Sequence, residues 1–313
     1  MTLWSASTIS TQPSRSGVRR ARFTREKLDE ALAAVCARLG LDHRGARLVR
    51  FTNNAVYALE SAPAVVRIVG SHGLRHRVYK VVAVARHLAA HGVPAVRLYP
   101  GFEQPIVVGQ YLATVWRKVE ESERTATAGE LGKLLSGMHS LPVPPHIPQW
   151  NPLDDVQARI ADAEELDDRD RRFLQDHCAS VRDALGRLEF PLATALVHGD
   201  AHAGNVLVGA DGPVLCDFDS ASVGPPEWDL VPLAVGVLRF GDSMADYRAL
   251  ADAFGFDVMA WEGFDVLRAA RELKLTTSVL PILRSKPDVR AELHRRLADL
   301  RDGRSGTRWE RYR

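Results

Sequence analysis

One stretch in the second half of the chain sets chemically capable side chains between apolar runs that favour β-strands. It spans residues 196–220 and reads LVHGDAHAGNVLVGADGPVLCDFDS. The residues in it that can ligate a cation or orient a reacting group are His198, Asp200, His202, Asn205, Asp217 and Asp219. Burying a carboxylate costs several kcal/mol unless a partner compensates for the lost hydration. The stretch therefore needs a partner for its carboxylates.

The apolar runs of this stretch predict a β-hairpin. Residues 206–208 and 214–216 are apolar, and the Asp-Gly pair between them is typical of a hairpin turn. The fold of the hairpin brings Asn205, before the first strand, beside Asp217, after the second. Asp200 precedes Asn205 in a loop that can curl back toward the same end. Two carboxylates and an amide oxygen are therefore expected to converge.

Three oxygen donors in one place favour a hard cation. Mg²⁺ takes one or two protein carboxylates and completes its shell with water and substrate phosphates. Zinc is an alternative, because His198 and His202 have ligand-like spacing and Cys216 lies close in sequence. A zinc site rich in Asp and Asn oxygens is unusual, however, and no fourth ligand presents itself. A second alternative is a loop whose polar groups only cap one another.

The order and spacing of these residues favour phosphoryl transfer. The pattern D-x-x-x-x-N, then a hairpin, then D-F, is what the catalytic loops of phosphoryl-transfer enzymes require. In that chemistry Asp200 orients the attacking hydroxyl, and Asn205 and Asp217 hold Mg²⁺ against the nucleotide phosphates.

The elements around the motif predict two lobes. A basic N-terminal tail, 1–23, is expected to be disordered. Residues 24–115 form an N-lobe of antiparallel strands, with a helix over 75–92 after the third strand. Residues 116–302 form a larger, mostly helical C-lobe that contains the hairpin, and 303–313 form a tail. The expected fold class is α+β, with a nucleotide in the cleft between the lobes.

Composition narrows the class of protein. A net charge of +2 and 26% charged residues argue against a protein that mainly grips nucleic acid. The three cysteines are far apart and odd in number, which is typical of reduced thiols in the cytoplasm. No apolar run reaches the length of a membrane span, and the N-terminus lacks the pattern of a secretory signal. A cytoplasmic protein with neither nucleic acid nor membrane as partner is expected.

The segments VHGDAHAGN and LCDFD resemble the aminoglycoside phosphotransferase and choline kinase-like family, which is related to the protein kinases. The resemblance covers roughly residues 25–300. Gly199 stands where protein kinases carry Arg, which favours the small-molecule branch. The family implies a protein-kinase-like fold that binds ATP or GTP, with Asp200 as the catalytic residue and Asn205 and Asp217 as the Mg²⁺ ligands. Asp229 matches the family's Asp that braces the catalytic loop.

The resemblance also implies nucleotide contacts in the N-lobe. Arg67 matches the basic residue of the third strand that binds phosphates, and the turn at Asn54 covers them. The purine is expected against the backbone that links the lobes, at Val115 and Arg117. The family's helix Glu, which pairs with the basic residue, is missing, because 61–102 contains no acidic residue. Tyr79 lies near its expected position, and its hydroxyl can accept one hydrogen bond from Arg67, but the sequence leaves open what replaces the Glu.

The acceptor is less well defined by the sequence. An acidic segment precedes the catalytic loop, with Asp154, Asp155, Asp162, Glu164, Glu165, Asp167, Asp168 and Asp170. In the resembling family this region covers the acceptor pocket, and acidic walls suit polycationic amino sugars. The alternative is a solvated helix face, which is what charge runs usually form.

The predicted function is a small-molecule O-phosphotransferase. It moves the γ-phosphate of ATP or GTP to a hydroxyl of an amino sugar, antibiotic or similar metabolite, with Mg²⁺. One alternative is a catalytically weak, pseudokinase-like nucleotide-binding module, which the missing helix Glu motivates. The other is a protein kinase, against which the absence of a Gly-rich loop and the presence of Gly199 argue.

Overall fold

A computed structural model describes residues 25–51, 54–69, 75–109 and 111–312. The predicted N-terminal tail, 1–23, lies outside the described residues, as does part of the turn before Asn54. The described chain has the expected α+β architecture, with a small antiparallel sheet followed by a mostly helical region.

The N-lobe is a five-stranded antiparallel sheet, with one helix before its first strand and one between its third and fourth strands. Its elements are α1 (Arg25–Leu39), β1 (Arg47–Phe51), β2 (Asn54–Ala58), β3 (Ala64–Val69), α2 (Arg75–Ala90), β4 (Ile106–Val108) and β5 (Tyr111–Arg117). The strand order is β1-β2-β3-β5-β4. Strand β3 alternates, so Val66 and Ile68 are fully buried in the core that α1 covers, while Arg67 lies on the opposite face.

The C-lobe contains the motif stretch, residues 196–220, between two groups of helices. Its elements are α3 (Ala128–His139), α4 (Asp154–Asp162), α5 (Asp168–Leu185), β6 (Ala195–Val197), β7 (Val206–Gly209), β8 (Gly212–Leu215), β9 (Ser222–Gly224), α6 (Val231–Val235), α7 (Met244–Phe254), α8 (Phe264–Thr277) and α9 (Arg290–Arg301). The predicted hairpin is the pair β7 and β8, and β6 pairs antiparallel with β9. Because β6 and β9 flank the hairpin in sequence, they anchor both ends of the motif stretch.

The end of the N-lobe and the C-terminal tail differ in detail from the expectation. Strand β5 runs on to Arg117, since its pairing with β3 continues past residue 115. Residues 303–312 form no helix or strand, but they are not a free tail. Trp309 is 4% exposed, and Arg239 donates to the carbonyls of Arg304 and Thr307. The segment is thus fixed to the C-lobe by an apolar anchor and a buried arginine.

Membrane insertion by a helix has no support in the described part of the chain. None of its helices combines the length and the apolar character that a crossing requires.

Candidate active site

The hairpin brings the three motif residues together at its open end. Val206 pairs with Leu215, and the Cys216 amide donates to the Asn205 carbonyl at 2.9 Å, which extends the ladder beyond the strands. The side-chain amide of Asn205 donates to the Asp200 carbonyl at 2.9 Å. Asp217 follows Cys216 directly and adopts the left-handed conformation, with φ 64° and ψ 66°. These bonds place Asp200, Asn205 and Cys216, which precedes Asp217, next to one another at the hairpin end. That the side chains of Asp200, Asn205 and Asp217 serve catalysis and hold a cation stays a prediction.

A buried aspartate, Asp229, holds the loop that contains Asp200. The Asp229 carboxylate accepts the main-chain N–H groups of His198 and Gly199, both at 2.7 Å, and the ring N–H of His139 at 2.9 Å. Asp229 is fully buried. Hydrogen bonds from main-chain N–H groups compensate a buried carboxylate, so the loop and Asp229 stabilise each other. Asp229 braces the loop as the resemblance implied.

His198 links the two halves of the motif. It is fully buried, and its Nε2 lies 2.9 Å from the Cys216 carbonyl while its Nδ1 lies 3.4 Å from the Asp200 amide. A carbonyl only accepts and an amide only donates, so Nε2 donates to the Cys216 carbonyl and Nδ1 accepts from the Asp200 amide. His198 is a structural support between the loop and the strand that leads to Asp217.

Gly199 is a steric requirement of the loop. Its φ is +81°, and a Cβ built on it would lie 2.2 Å from the Ser220 carbonyl oxygen. The Trp228 indole N–H donates to the Gly199 carbonyl at 3.1 Å. The arginine that protein kinases carry at this position does not fit here, because the segment after Asp217 lies directly against the loop.

Asp200 is held by a cation from α8. Arg271 Nη1 lies 2.8 Å from Asp200 Oδ1, and His202 Nε2 lies 3.9 Å from the other carboxylate oxygen. Burial by itself would raise the pKa of Asp200, but the charges of Arg271, His202 and Lys274, together with the hydrogen bond from Arg271, outweigh it and lower the pKa to about 2. The carboxylate therefore stays ionised at all physiological pH values.

The donor set at the hairpin end fits Mg²⁺ better than zinc. The Asn205 amide nitrogen is used on the loop, so its oxygen is the atom that remains for a cation beside the Asp217 carboxylate. Zinc fits less well, because both ring nitrogens of the candidate ligand His198 are hydrogen-bonded within the protein, Nε2 with the Cys216 carbonyl and Nδ1 with the Asp200 amide. Within the described residues, no three His, Cys, Asp or Glu side chains form a metal-binding group.

The N-lobe contributes cations to the same end of the hairpin. Arg67 donates to the Asp219 carboxylate, and Lys80 Nζ donates to the Asp219 carbonyl at 2.6 Å. Arg50 Nη1 lies 3.8 Å from Asp217 Oδ2. Arg67 lies at the cleft, where a nucleotide's phosphates are expected. Sequence reasoning missed Asp219 as its partner because the two residues are 152 positions apart in the chain.

Tyr79 does not replace the missing helix Glu. Its side chain is 57% exposed, on the face of α2 that points away from the core. The next residue, Lys80, is the one that turns toward the cleft. The sequence alone does not distinguish the two residues, because the position of α2 on the sheet, which fixes its inward face, is not apparent in it. The acidic partner of Arg67 comes instead from the C-lobe.

The predicted purine contacts are already hydrogen-bonded within the protein. The Val115 N–H donates to Gln104 Oε1 at 2.7 Å, and the Val115 carbonyl accepts from Gln104 Nε2 at 2.9 Å. The Arg117 N–H donates to the Arg97 carbonyl at 2.8 Å. These backbone groups therefore hold β5 in place. Asn54 begins β2 opposite Val69 of β3, at the cleft end of the hairpin.

The acidic segment does not form a continuous acidic wall. Glu164, Glu165 and Asp170 pair with arginines from the C-terminal part of the chain. Asp167 caps α5 by accepting from the Asp170 amide at 2.7 Å. The side chains of Asp154, Asp162 and Asp168 are exposed. Asp155 is the member whose charge interacts with the cations near Asp200, and it pairs with Arg77 at 2.5 Å.

Sequence reasoning also missed the basic residues of the site. Arg271 and Lys274 of α8 are three residues apart, which places them on one face of the helix. Arg159 of α4 approaches the same face and donates to the Lys274 carbonyl at 3.5 Å. The i, i+3 spacing was a signal, but an Arg and a Lys in a long charged helix usually lie on the solvated face.

Comparison with protein families defines the class. Residues 47–270 match the model of the phosphotransferase enzyme family. The match covers well over half of the chain, and the chain belongs to this family. The predicted class, a phosphotransferase enzyme, is thereby confirmed.

Several solved structures share the fold. An amicoumacin kinase in complex with AMP-PNP, Ca²⁺ and Ami is 15% identical with a TM-score of 0.68, over 92% of this chain and 96% of the other. A choline/ethanolamine kinase family protein from Mesorhizobium loti is 20% identical with a TM-score of 0.62, over 88% and 94%. The choline kinase LicA from Streptococcus pneumoniae is 14% identical with a TM-score of 0.63, over 87% and 99%. These likenesses establish the kinase-like fold alone. Among curated proteins, none matches the sequence.

Proposed function

We propose that the protein transfers the γ-phosphate of ATP or GTP to a hydroxyl group of a small molecule, with Asp200 orienting that hydroxyl. The observation that carries the proposal is the convergence of Asp200, Asn205 and Asp217 on a loop braced by a fully buried carboxylate. Phosphoryl transfer depends almost entirely on positioning and electrostatics, and a rigid loop supplies both. Similar folds that bind AMP-PNP or GDP support a nucleotide as the donor.

The roles follow from the positions of the side chains. Asn205 and Asp217 are the residues that would hold Mg²⁺, which supplies charge neutralisation at the phosphates when it is bound. Arg67, on the cleft side of β3, is proposed to bind the phosphates from the N-lobe. Asp200 accepts a hydrogen bond from the acceptor hydroxyl and directs its oxygen at the phosphorus. A carboxylate with a pKa near 2 is a weak base, so it takes up the proton late.

The pseudokinase-like alternative loses its main motivation in this geometry. It rested on the absence of a helix Glu to pair with the basic residue of β3. Arg67 has an acidic partner in Asp219, so the cation is fixed at the cleft by a different route. We therefore place the protein among active phosphotransferases.

The test is transfer of labelled γ-phosphate from ATP and GTP, with Mg²⁺, to a panel of hydroxylated metabolites. The panel includes amino sugars, choline-like alcohols and hydroxy acids. We expect Asp200→Asn to lower kcat by roughly 10²–10⁴, the range for a positioned acid–base group. Asp217→Asn is expected to abolish turnover by weakening the cation site, and the exposed hairpin-turn variant Asp211→Asn serves as the control.

Two results would contradict the proposal. Asp200→Asn with wild-type turnover would remove Asp200 from the reaction. Nucleotide binding without hydrolysis or transfer, over the whole panel and a wide range of Mg²⁺ concentration, would favour the nucleotide-binding module. Melting temperatures of all variants show whether a loss of turnover reflects the chemistry or the fold.

A further inference from the structure

The side of Asp200 that faces α4 and α8 is lined with cations. Arg271 lies against Asp200 itself, and its side chain is 12% exposed. Lys274 and Arg159 lie close enough to Asp200 for their charges to interact with it. Arg77 reaches the same cluster from α2 through its ion pair with Asp155. The nucleotide phosphates are expected at the hairpin end, so an acceptor approaches Asp200 from this basic side.

The cations of this cluster outnumber its carboxylates. Four cationic side chains, Arg77, Arg159, Arg271 and Lys274, face two carboxylates, Asp155 and Asp200. Arg77 pairs with Asp155 and Arg271 pairs with Asp200, which leaves Arg159 and Lys274 without a carboxylate within 4 Å in the described part of the chain. The Nε of Arg271 is also buried, and its N–H has no hydrogen-bond acceptor in the described part of the chain. Like charges at close quarters are costly, and an incoming anion relieves that cost.

The burial of Lys274 supports the same reading. Burial first, and then the charge of Arg271, lower the pKa of Lys274 to about 8. At neutral pH the ammonium group is thus a cation kept in an unfavourable environment. Its Nζ lies over the ring of Trp228, 5.9 Å from the ring centroid, so one side of its surroundings is aromatic. Lys274 is half-buried, so a small anion that reaches Nζ regains electrostatic energy that the partial hydration of this site supplies only in part.

We infer that the acceptor is an anionic hydroxy compound, such as a hydroxylated carboxylate, whose acidic group binds Lys274, Arg159 and the Nε of Arg271 while its hydroxyl lies at Asp200. This inference rests on the proposed function and specifies its substrate class. A polycationic amino sugar would meet Arg159, Arg271 and Lys274 with like charge. The acidic segment that would have suited such a sugar is engaged with other arginines or exposed to solvent.

The experiment uses acceptor probes that differ only in charge. Gluconate, sorbitol and glucamine share a six-carbon polyol skeleton and carry a carboxylate, an alcohol and an ammonium group at one end. Glycerate, glycerol and 3-amino-1,2-propanediol form a smaller triplet. Calorimetry first measures AMP-PNP binding with Mg²⁺, and then binding of each probe, up to tens of millimolar, to the nucleotide-loaded protein. We expect the carboxylate to bind at least tenfold more tightly than its neutral and cationic counterparts in one or both triplets.

Variants locate the anion. Lys274→Gln is expected to weaken carboxylate binding by about 10- to 100-fold, the range for a hydrogen bond to a charged group, and to leave the neutral polyol unaffected. Arg159→Gln is the second variant, in case Lys274→Gln folds poorly, and melting temperatures report on both. Arg284→Gln is the matched control, because Arg284 is 69% exposed and pairs with Glu164.

The outcomes separate the inference from the proposed function. Failure to bind AMP-PNP would overturn both. Normal AMP-PNP binding, with the carboxylate bound no more tightly than its counterparts in both triplets, would overturn the anionic acceptor and leave the phosphotransferase reading intact. The same holds if no probe binds, or if Lys274→Gln and Arg159→Gln bind the carboxylate as the wild type does.

Discussion

The catalytic loop and the N-lobe side of the cleft are held by different kinds of interaction. The loop is held by hydrogen bonds among fully buried residues of the C-lobe, chiefly His198 and Asp229. The N-lobe contributes long basic side chains that meet their partners across the cleft, as Arg67 does with Asp219. A buried polar network whose hydrogen bonds are all made holds its residues in a single conformation. Long side chains at a cleft can change conformation when a ligand binds. Substitutions in the loop should therefore cost stability, and those in the N-lobe should cost nucleotide affinity.

The largest effect on stability is expected from Asp229→Ala. The change leaves two main-chain N–H groups and the His139 ring without their acceptor in a fully buried place. We expect the free energy of unfolding to fall by about 3–5 kcal/mol, the cost of breaking a buried charged network. Denaturant titration measures it, with Asp211→Ala in the exposed hairpin turn as the control. A loss below about 1 kcal/mol would mean that the loop does not depend on Asp229.

Gly199→Ala should also act through the loop. The new Cβ would be forced against the Ser220 carbonyl, and the residue would have to keep a φ of +81°. Gly212 is the matched control, because its φ is +107° and nothing lies within 4 Å of its Cβ position. The left-handed strain alone costs about 1–3 kcal/mol. We expect Gly199→Ala to lose clearly more stability than Gly212→Ala and to lower kcat as well. Equal losses would show that the contact with Ser220 is unimportant.

The same contrast explains what the sequence could predict. The loop was predictable because its residues are close in the chain, and the hairpin turn fixes which of them meet. Asp200, Asn205 and Asp217 are related by local geometry alone. The fold class and the hairpin followed from alternation, turn residues and helix ends. The helix face of α2 did not, since the choice between Tyr79 and Lys80 depends on how α2 lies on the sheet.

Ion pairs between residues that are far apart in the chain were the other feature that the sequence could not predict. Arg67 and Asp219, and likewise Asp200 and Arg271, are brought together only by the arrangement of whole elements. Purine contacts at Val115 and Arg117 were assigned without knowledge of Gln104, whose side chain takes both polar backbone groups of Val115. A single sequence shows the residue types but not these competing hydrogen bonds.

A double-mutant cycle on Arg67 and Asp219 tests the N-lobe half of the comparison. Arg67→Ala should weaken ATP or GTP binding by roughly 1.5–3 kcal/mol, the scale for hydrogen bonds to charged groups. Asp219→Ala should weaken it less, because it acts by orienting Arg67. The two effects should not add, with a coupling of about 1 kcal/mol. Arg44→Ala, in an exposed ion pair of the N-lobe, is the control. Additive effects on nucleotide affinity would show that the pair does not orient Arg67.

The smallest effects should distinguish the two neighbouring residues of α2. Tyr79→Phe removes a hydroxyl from an exposed side chain and should change stability and nucleotide affinity by less than about 0.5 kcal/mol. Lys80→Met removes the donor to the Asp219 carbonyl and should cost about 1 kcal/mol at pH 7, since burial of the ammonium group offsets part of the hydrogen bond. If Tyr79→Phe changed nucleotide affinity as much as Lys80→Met does, the side chain of Tyr79 would have to face the cleft.

The pH dependence of Lys80→Met gives a second, independent measurement. Burial, and then the charge of Arg77, lower the pKa of Lys80 to about 8 from its ordinary value of 10.5. Between these two values the unfolded chain binds the proton more than the folded one does, so stability rises with pH in the wild type. Methionine does not titrate, so the stability deficit of Lys80→Met should widen from pH 8 to 10.5 and stay constant below pH 7. Denaturant titrations of both proteins across this range measure the difference, in which all other titrating groups cancel. A deficit that does not change with pH would mean that Lys80 is solvated like an ordinary surface lysine, and that α2 does not contact the segment after Asp217 through it.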